Sequence, residues 1–156
     1  MNENLKIIPL ADDPEALPIL KQWFEDEWKF HYGSNGPGNA EKDVKAYSNR
    51  SKLPIGLVGY LDGELCGMLA LKKQSITTHS HLTPWAAAGF VVPQKRRKGI
   101  GAKLLFAIEG IARHMGYTKI YSGTSTAASL LKRSDWQFIE QVQYNGEDVS
   151  IYEKKL

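Results

Sequence analysis

Val91-Val92-Pro93-Gln94-Lys95-Arg96-Arg97-Lys98-Gly99-Ile100-Gly101 joins two segments of different period, and its reading decides the fold. Before it, Trp85 to Val92 is an apolar run that stops at Pro93, which cannot donate to a sheet ladder. After it, Leu104, Leu105, Ile108, Ile111, Ala112 and Met115 recur at helical spacing and predict a helix over 100–115. The segment between is therefore a strand-to-helix loop. Gly99 and Gly101 let its backbone turn tightly and approach a ligand with no side chain in the way. The first turn of the helix leaves N–H groups without intrahelical partners, and the helix dipole adds to their attraction for an anion. Lys95, Arg96, Arg97, Lys98 and Lys103 surround this cup, with no acid between residues 95 and 103. On its two glycines alone the loop is better explained as a structural turn, since Gly-x-Gly loops are common.

Working outward, Leu5 to Leu10 reads as a first strand, and Asp13 with Pro14 as the start of a helix carrying Leu17, Leu20, Phe24 and Trp28. Residues 32–38 crowd turn formers into a loop, after which Asn39 can cap a second helix running to about Asn49. Ile55–Tyr60 and Leu65–Leu71 form a hairpin around Asp62-Gly63. Beyond the 100–115 helix, Gly116 marks its end, and Lys119 to Ser122 is a short strand. Thr126 to Arg133 is a short helix, and strands from Phe138 and Val149 close the chain around Asn145-Gly146. The order β-α-α-β-β-β-α-β-α-β-β describes a single mixed α/β (α+β) domain over residues 1–156. Its hairpin-rich first half argues against a doubly wound sheet.

Length and composition agree with one globular domain: 156 residues, 42% apolar and 24% charged. No apolar run approaches the ~20 residues that span a bilayer, so no membrane partner is expected. The first residues lack the basic and apolar regions of a signal peptide, and Cys66 is the single cysteine. A reducing cytoplasm is the expected location. The net charge of +3 is too small to imply a nucleic-acid partner. It is unevenly spread: residues 12–27 hold Asp12, Asp13, Glu15, Glu25, Asp26 and Glu27 against one Lys21. One end suits cations and the loop suits anions, although each cluster alone could be a solvated face.

The segment resembles the GNAT superfamily of N-acetyltransferases, whose signature is Arg/Gln-x-x-Gly-x-Gly/Ala after a strand ending in Val-x-Pro. The match here is Val91-x-Pro93 followed by Arg96-x-x-Gly99-x-Gly101, continued by Leu104-Leu105, Gly116-Tyr117, Ala127, Leu130 and Trp136. It extends over roughly residues 55–155 and is most specific over 91–105. The resemblance implies a GNAT-like fold with a mixed, mostly antiparallel sheet and acetyl-coenzyme A as co-substrate, with no metal. It implies that backbone amides of Arg96, Arg97, Lys98, Gly99, Ile100, Gly101 and Ala102 hold the pyrophosphate. It further implies that Phe90, Val91 and Val92 pair with the pantetheine arm like an added strand. Gly89 or Phe90 falls where the family places a bulge, and the Gly89 backbone amide there would stabilise a developing oxyanion.

The reaction implied is direct attack of a neutral amine on the thioester, which needs a base and, usually, an acid for the leaving thiolate. The family's tyrosine acid belongs in Tyr-x-x-x-Gly-Phe, where this chain has Leu131 in the tyrosine's place and Asp135 in the glycine's. No carboxylate occurs between Ser75 and Val92 to act as the base some members carry. His79 and His81 are the local substitutes, since imidazole titrates near neutrality; each is equally an ordinary loop histidine. As metal ligands they lack a third partner. Tyr121, Tyr144 and Tyr152 are other acids or packing aromatics. Ser125 and Thr126 either cap the following helix or touch the cofactor arm.

In the superfamily the acceptor often sits between the first two helices and the facing strands. That places Trp23, Glu25, Asp26, Glu27, Trp28, Phe30, His31 and Tyr32 near its entrance, with Glu27, Trp28 and Tyr32 as the leading substrate contacts. A small-molecule or peptide amine is the expected acceptor, and a homodimer is a possible assembly, since dimers are common among similar proteins. A non-catalytic coenzyme A-binding sensor is the alternative, supported by Leu131. A nucleic-acid patch at 94–98 is the third reading, weakened by the lack of interleaved aromatics.

Overall fold

The structure, a computed structural model, describes residues 4–156. Strand β1 spans Leu5–Pro9 and ends at its proline. Pro14–Ala16 forms a 3-10 turn leading into helix α1, Leu17–Glu27. The Asp13 side chain does not cap this turn; its carboxylate accepts the Tyr60 hydroxyl instead. At Trp28 the backbone leaves helical values (φ −120, ψ 56) and restarts as a four-residue helix α2, Lys29–Tyr32, an addition to the order expected from sequence. Helix α3, Ala40–Ala46, is capped as expected, with Asn39 accepting from the Lys42 N–H at 3.0 Å. It ends earlier than Asn49, whose amide instead donates to the Ala46 and Pro54 carbonyls, 2.9 Å each.

Strands β2 (Ile55–Leu61) and β3 (Glu64–Lys72) meet at Asp62-Gly63, both at positive φ (51 and 87), as a tight two-residue hairpin requires. Strand β4 is Trp85–Val91, helix α4 Ile100–His114, strand β5 Lys119–Thr124 and helix α5 Ala128–Arg133. Strands β6 (Gln137–Tyr144) and β7 (Glu147–Lys155) close around Asn145-Gly146. The seven strands form one sheet in the order β1-β2-β3-β4-β5-β7-β6. Among the described residues every neighbouring pair is antiparallel except β4 and β5. The mixed, mostly antiparallel architecture expected from sequence is the one observed.

Side chains alternate between the two faces of a strand, so the core divides cleanly. On one face α4 and α5 press Leu104, Leu105, Ile108 and Leu131 onto Leu57, Leu71, Ala86, Ile120 and Tyr152. On the other, α1 and α3 bring Leu20, Phe24 and Val44 against Val58, Met68 and Ala70. That second face changes cover at β4. Beyond it, Ile76 and Leu82, from the segment joining β3 to β4, pack on Trp85, Tyr121, Val149 and Ile151. The boundary between these two covers lies at β4, with Ala88 under the first and Trp85 under the second.

Candidate active site

Strands β4 and β5 pair at one position, Trp85 with Tyr121, reinforced by the Tyr121 N–H to the Pro84 carbonyl at 3.0 Å. The Ser122 hydroxyl then donates to the Ala86 carbonyl at 3.0 Å, and no further ladder pair follows among the described residues. From Ala87 onward β4 has no ladder partner on its β5 side among the described residues. The register against β3 slips here: Met68 faces Phe90 and Ala70 faces Ala87, so Ala88 and Gly89 together oppose Leu69. Two residues against one is a β-bulge. Sequence placed the bulge at Gly89 or Phe90. The residue that takes positive φ is Ala88 (57), while Gly89 is exposed, and a Cβ on it would meet Leu69 Cδ1 at 3.1 Å.

Beyond the strand, Arg97 and Gly99 both adopt left-handed backbone (φ 65 and 79). Alternation of this kind turns successive N–H groups inward into an anion-binding concavity. Gly99 is the N-cap of α4, with no side-chain cap, and the first α-helical bond runs from the Lys103 N–H to the Gly99 carbonyl at 3.1 Å. The first-turn N–H groups of Gly101 and Ala102 thus lack an intrahelical acceptor. A Cβ at Gly99 would meet nothing within 4 Å, so its glycine is there for its φ and for the open approach. Arg96, Arg97 and Lys98 are exposed around this cup. The charge of a diphosphate fits this basic donor set.

The acetyltransferase (GNAT) family model matches residues 17–131. The chain belongs to that family. No curated protein sequence matches it. Among solved structures, it is similar to an aminoglycoside 6'-N-acetyltransferase complexed with coenzyme A (14% identity, 96% of each chain covered, TM-score 0.77). It is similar also to the aminoglycoside 6'-N-acetyltransferase from Enterococcus faecium (15%, 96% of each chain, TM-score 0.76). A Salmonella typhimurium protein solved with its cofactor acetyl-CoA is 19% identical, with 97% of this chain and 94% of that one covered and a TM-score of 0.75. These likenesses establish a shared fold, and the family model establishes the enzyme class, a GNAT-type acetyltransferase.

In this acetyltransferase the family's acid position is filled by Leu131, 3% exposed in the α4–α5 core. Asp135, in the glycine's place, keeps the glycine-like backbone at φ 67. Thr126 and Ser125 do not cap α5: Thr124 Oγ1 accepts from the Thr126 and Ala127 N–H groups at 3.1 and 2.7 Å. His79 and His81 lie on the segment covering the β5 side, their rings stacked 5.8 Å apart. Both His79 nitrogens are engaged, Nε2 with Glu140 Oε1 at 2.5 Å and Nδ1 with Thr78 Oγ1 at 2.9 Å. His81 is exposed. Glu140 lies 61 residues from His79, so no local signal could announce the pair.

Opposite, Trp23 of α1 meets Phe90 of β4 at 5.2 Å between centroids. Trp28 packs edge-on against Phe24 (5.0 Å), and Tyr32 lies 5.5 Å from the same ring. The Tyr32 hydroxyl donates to Asp43 at 2.7 Å, and its burial raises its pKa far beyond that of a free phenol. Glu27 is exposed. Among the described residues no group of His, Cys, Asp or Glu side chains could hold a metal ion, and no helix is long and apolar enough to cross a membrane.

Proposed function

We propose that this chain transfers the acetyl group of acetyl-coenzyme A to a primary amine of a small molecule or peptide, by direct attack at the β4 bulge. The observation that carries the reading is the parting of β4 from β5 after a single pair, with a bulge and an anion cup along the same open edge. Backbone amides from Arg97 to Ala102 hold the diphosphate, helped by the charges of Arg97 and Lys98; the Arg96 amide, expected from sequence to join them, donates instead to the Pro93 carbonyl at 3.3 Å. The edge from Phe90 to Val92 pairs with the pantetheine arm, and Thr126 borders it from the β5 side. An N–H at the bulge, Gly89 being the exposed one, donates to the thioester oxygen.

The proton of the amine goes to His81, directly or through water. His79, held by Glu140 and Thr78, supports it by stacking. With Leu131 buried, the leaving thiolate takes its proton from water. Glu27, Trp28 and Tyr32 border the acceptor's approach, and the acids there favour a cation. A cytoplasmic enzyme, with or without a second copy, accords with this reading.

Acetyl-CoA is expected to raise the thermal midpoint in a concentration-dependent way, because it binds the folded state. Free thiol should then appear when amines are added. Absence of both at millimolar ligand sinks the proposal. A non-catalytic coenzyme A-binding role is favoured only by Leu131, and turnover of any amine removes it.

A further inference from the structure

Strand β3 ends in Lys72, directly opposite Trp85, the first residue of β4. Counting by twos, Lys72 shares its face with Ala70 and Met68, the face covered by α1 and α3. Ala70 in turn faces Ala87, the residue before the bulge. Between the lysine and the bulge this face carries Ala70, buried under α1 and α3, and the partly exposed Ala87. Lys72 is half-buried, with Nζ 5.9 Å from the centroid of the Tyr47 ring.

Two charged groups meet here without closing on each other. Asp43 acts on Lys72 through space, yet no ion pair joins Lys72 to any carboxylate among the described residues. Asp43 spends an oxygen on Tyr32. Burial lowers the Lys72 pKa, and the Asp43 charge raises it only in part. A half-buried ammonium with unspent donors is costly unless an anion completes it. Lys72 thus stands on the face of the sheet that carries Ala87, the residue before the bulge.

We propose that Lys72 receives a carboxylate of the acceptor, so that the substrate class is an amine bearing a free carboxylate, an amino acid or a short peptide. This rests on the transferase reading above. Strand rise places the bulge ~10 Å along the sheet from Lys72, a span that a lysine side chain is long enough to cover in part. The gap left suits the few bonds that separate an amine from a carboxylate in such molecules. The acids at the α1 end draw the amine, and Lys72 fixes the opposite end.

The test compares amines supplied in pairs, each as the free acid and as its primary amide, across the amino acids and a set of dipeptides. For the best pair, wild type should favour the acid by at least tenfold in kcat/KM, through KM. Lys72→Met, which keeps the stem against Tyr47, should erase that ratio while acetyl-CoA still raises the thermal midpoint as in wild type. Equal rates for acid and amide, a ratio that survives K72M, or turnover confined to polycationic amines overturns the assignment. Failure of acetyl-CoA to stabilise the protein, with no amine turned over, overturns the transferase reading itself.

Discussion

Arg96 donates from Nε to the Val91 carbonyl at 2.7 Å, folding its side chain back across the end of β4. Its guanidinium lies 5.5 Å from the centroid of the Phe90 ring. The Val92 N–H points to Cys66 of β3 (2.9 Å), so the preceding carbonyl points the opposite way, into the open edge. Arg96 thus occupies an acceptor that an added strand would use, while carrying charge that a diphosphate needs.

The two effects differ in size. A hydrogen bond to a charged ligand contributes about 1.5–3 kcal/mol, and the exposed bond to Val91 contributes about 1. The charge should win. Arg96→Ala is expected to weaken acetyl-CoA binding about tenfold, roughly the 1.4 kcal/mol difference between these contributions. Calorimetric titration at two salt concentrations checks it, since the loss must shrink as ions screen an exposed charge. Tighter binding by the variant would mean that Arg96 is chiefly a plug.

Two glycines of the same helix should respond in opposite directions. Gly99 sits at φ 79 and Gly110 within α4, and neither would press a new Cβ on any atom. Gly99→Ala costs about 1 kcal/mol for the left-handed backbone. Gly110→Ala gains about 0.5–1 kcal/mol because helical glycine is penalised. Thermal midpoints should move down and up by about 2–4 °C per kcal/mol. Only Gly99→Ala should weaken acetyl-CoA binding. If both variants bind alike, the cup is misplaced.

What the sequence discloses follows from range. The cofactor loop is local: a proline stop, two glycines and a helical stripe lie within residues 91–115, and each element appears where expected. Both tight hairpins are equally legible, because Asp62-Gly63 and Asn145-Gly146 must take positive φ whatever surrounds them. The break at Trp28, whose ring packs edge-on against Phe24, carries no such local signal. The groups around the acceptor side are assembled from far apart: Lys72 with Asp43 and Tyr47, and His79 with Glu140. The bulge sets Ala88 and Gly89 together against Leu69, and that Ala88 rather than the glycine takes the positive φ has no local signal.

Alkaline pH should expose Tyr47. Burial pushes its phenol up to about 12, and the Asp43 charge acts in the same direction. An unfolded tyrosine titrates near 10. Between these values the unfolded chain loses the proton first. The contribution of Tyr47 is therefore complete below pH 10 and is lost as pH rises toward 12. Lys72 works in the opposite sense, its ammonium being disfavoured by burial, so wild type must be compared with Tyr47→Phe at each pH. Urea midpoints at pH 8, 10 and 11 should show the advantage of wild type shrinking above pH 10. A constant difference would place the Tyr47 hydroxyl in contact with water.

Glu109 is 3% exposed, and two donors meet it: Trp136 Nε1 at 3.1 Å and Lys154 Nζ at 2.8 Å. Lys154 also donates to the Ser134 carbonyl at 2.9 Å, so the three residues tie α4, the end of α5 and β7 together. Removing one partner of a buried pair costs about 3–5 kcal/mol, because the other charge is stranded, whereas removing both charges costs far less. Lys154→Met should therefore be strongly destabilising. Adding Glu109→Gln should restore part of the loss, since the amide oxygen still accepts from Trp136. A cycle of denaturant unfolding over wild type, K154M, E109Q and the double variant measures this. The double variant should be more stable than K154M by at least 1 kcal/mol, roughly the cost of an unsatisfied buried group. Equal stability of the two would mean that the Glu109 carboxylate is solvated or neutral once Lys154 is gone.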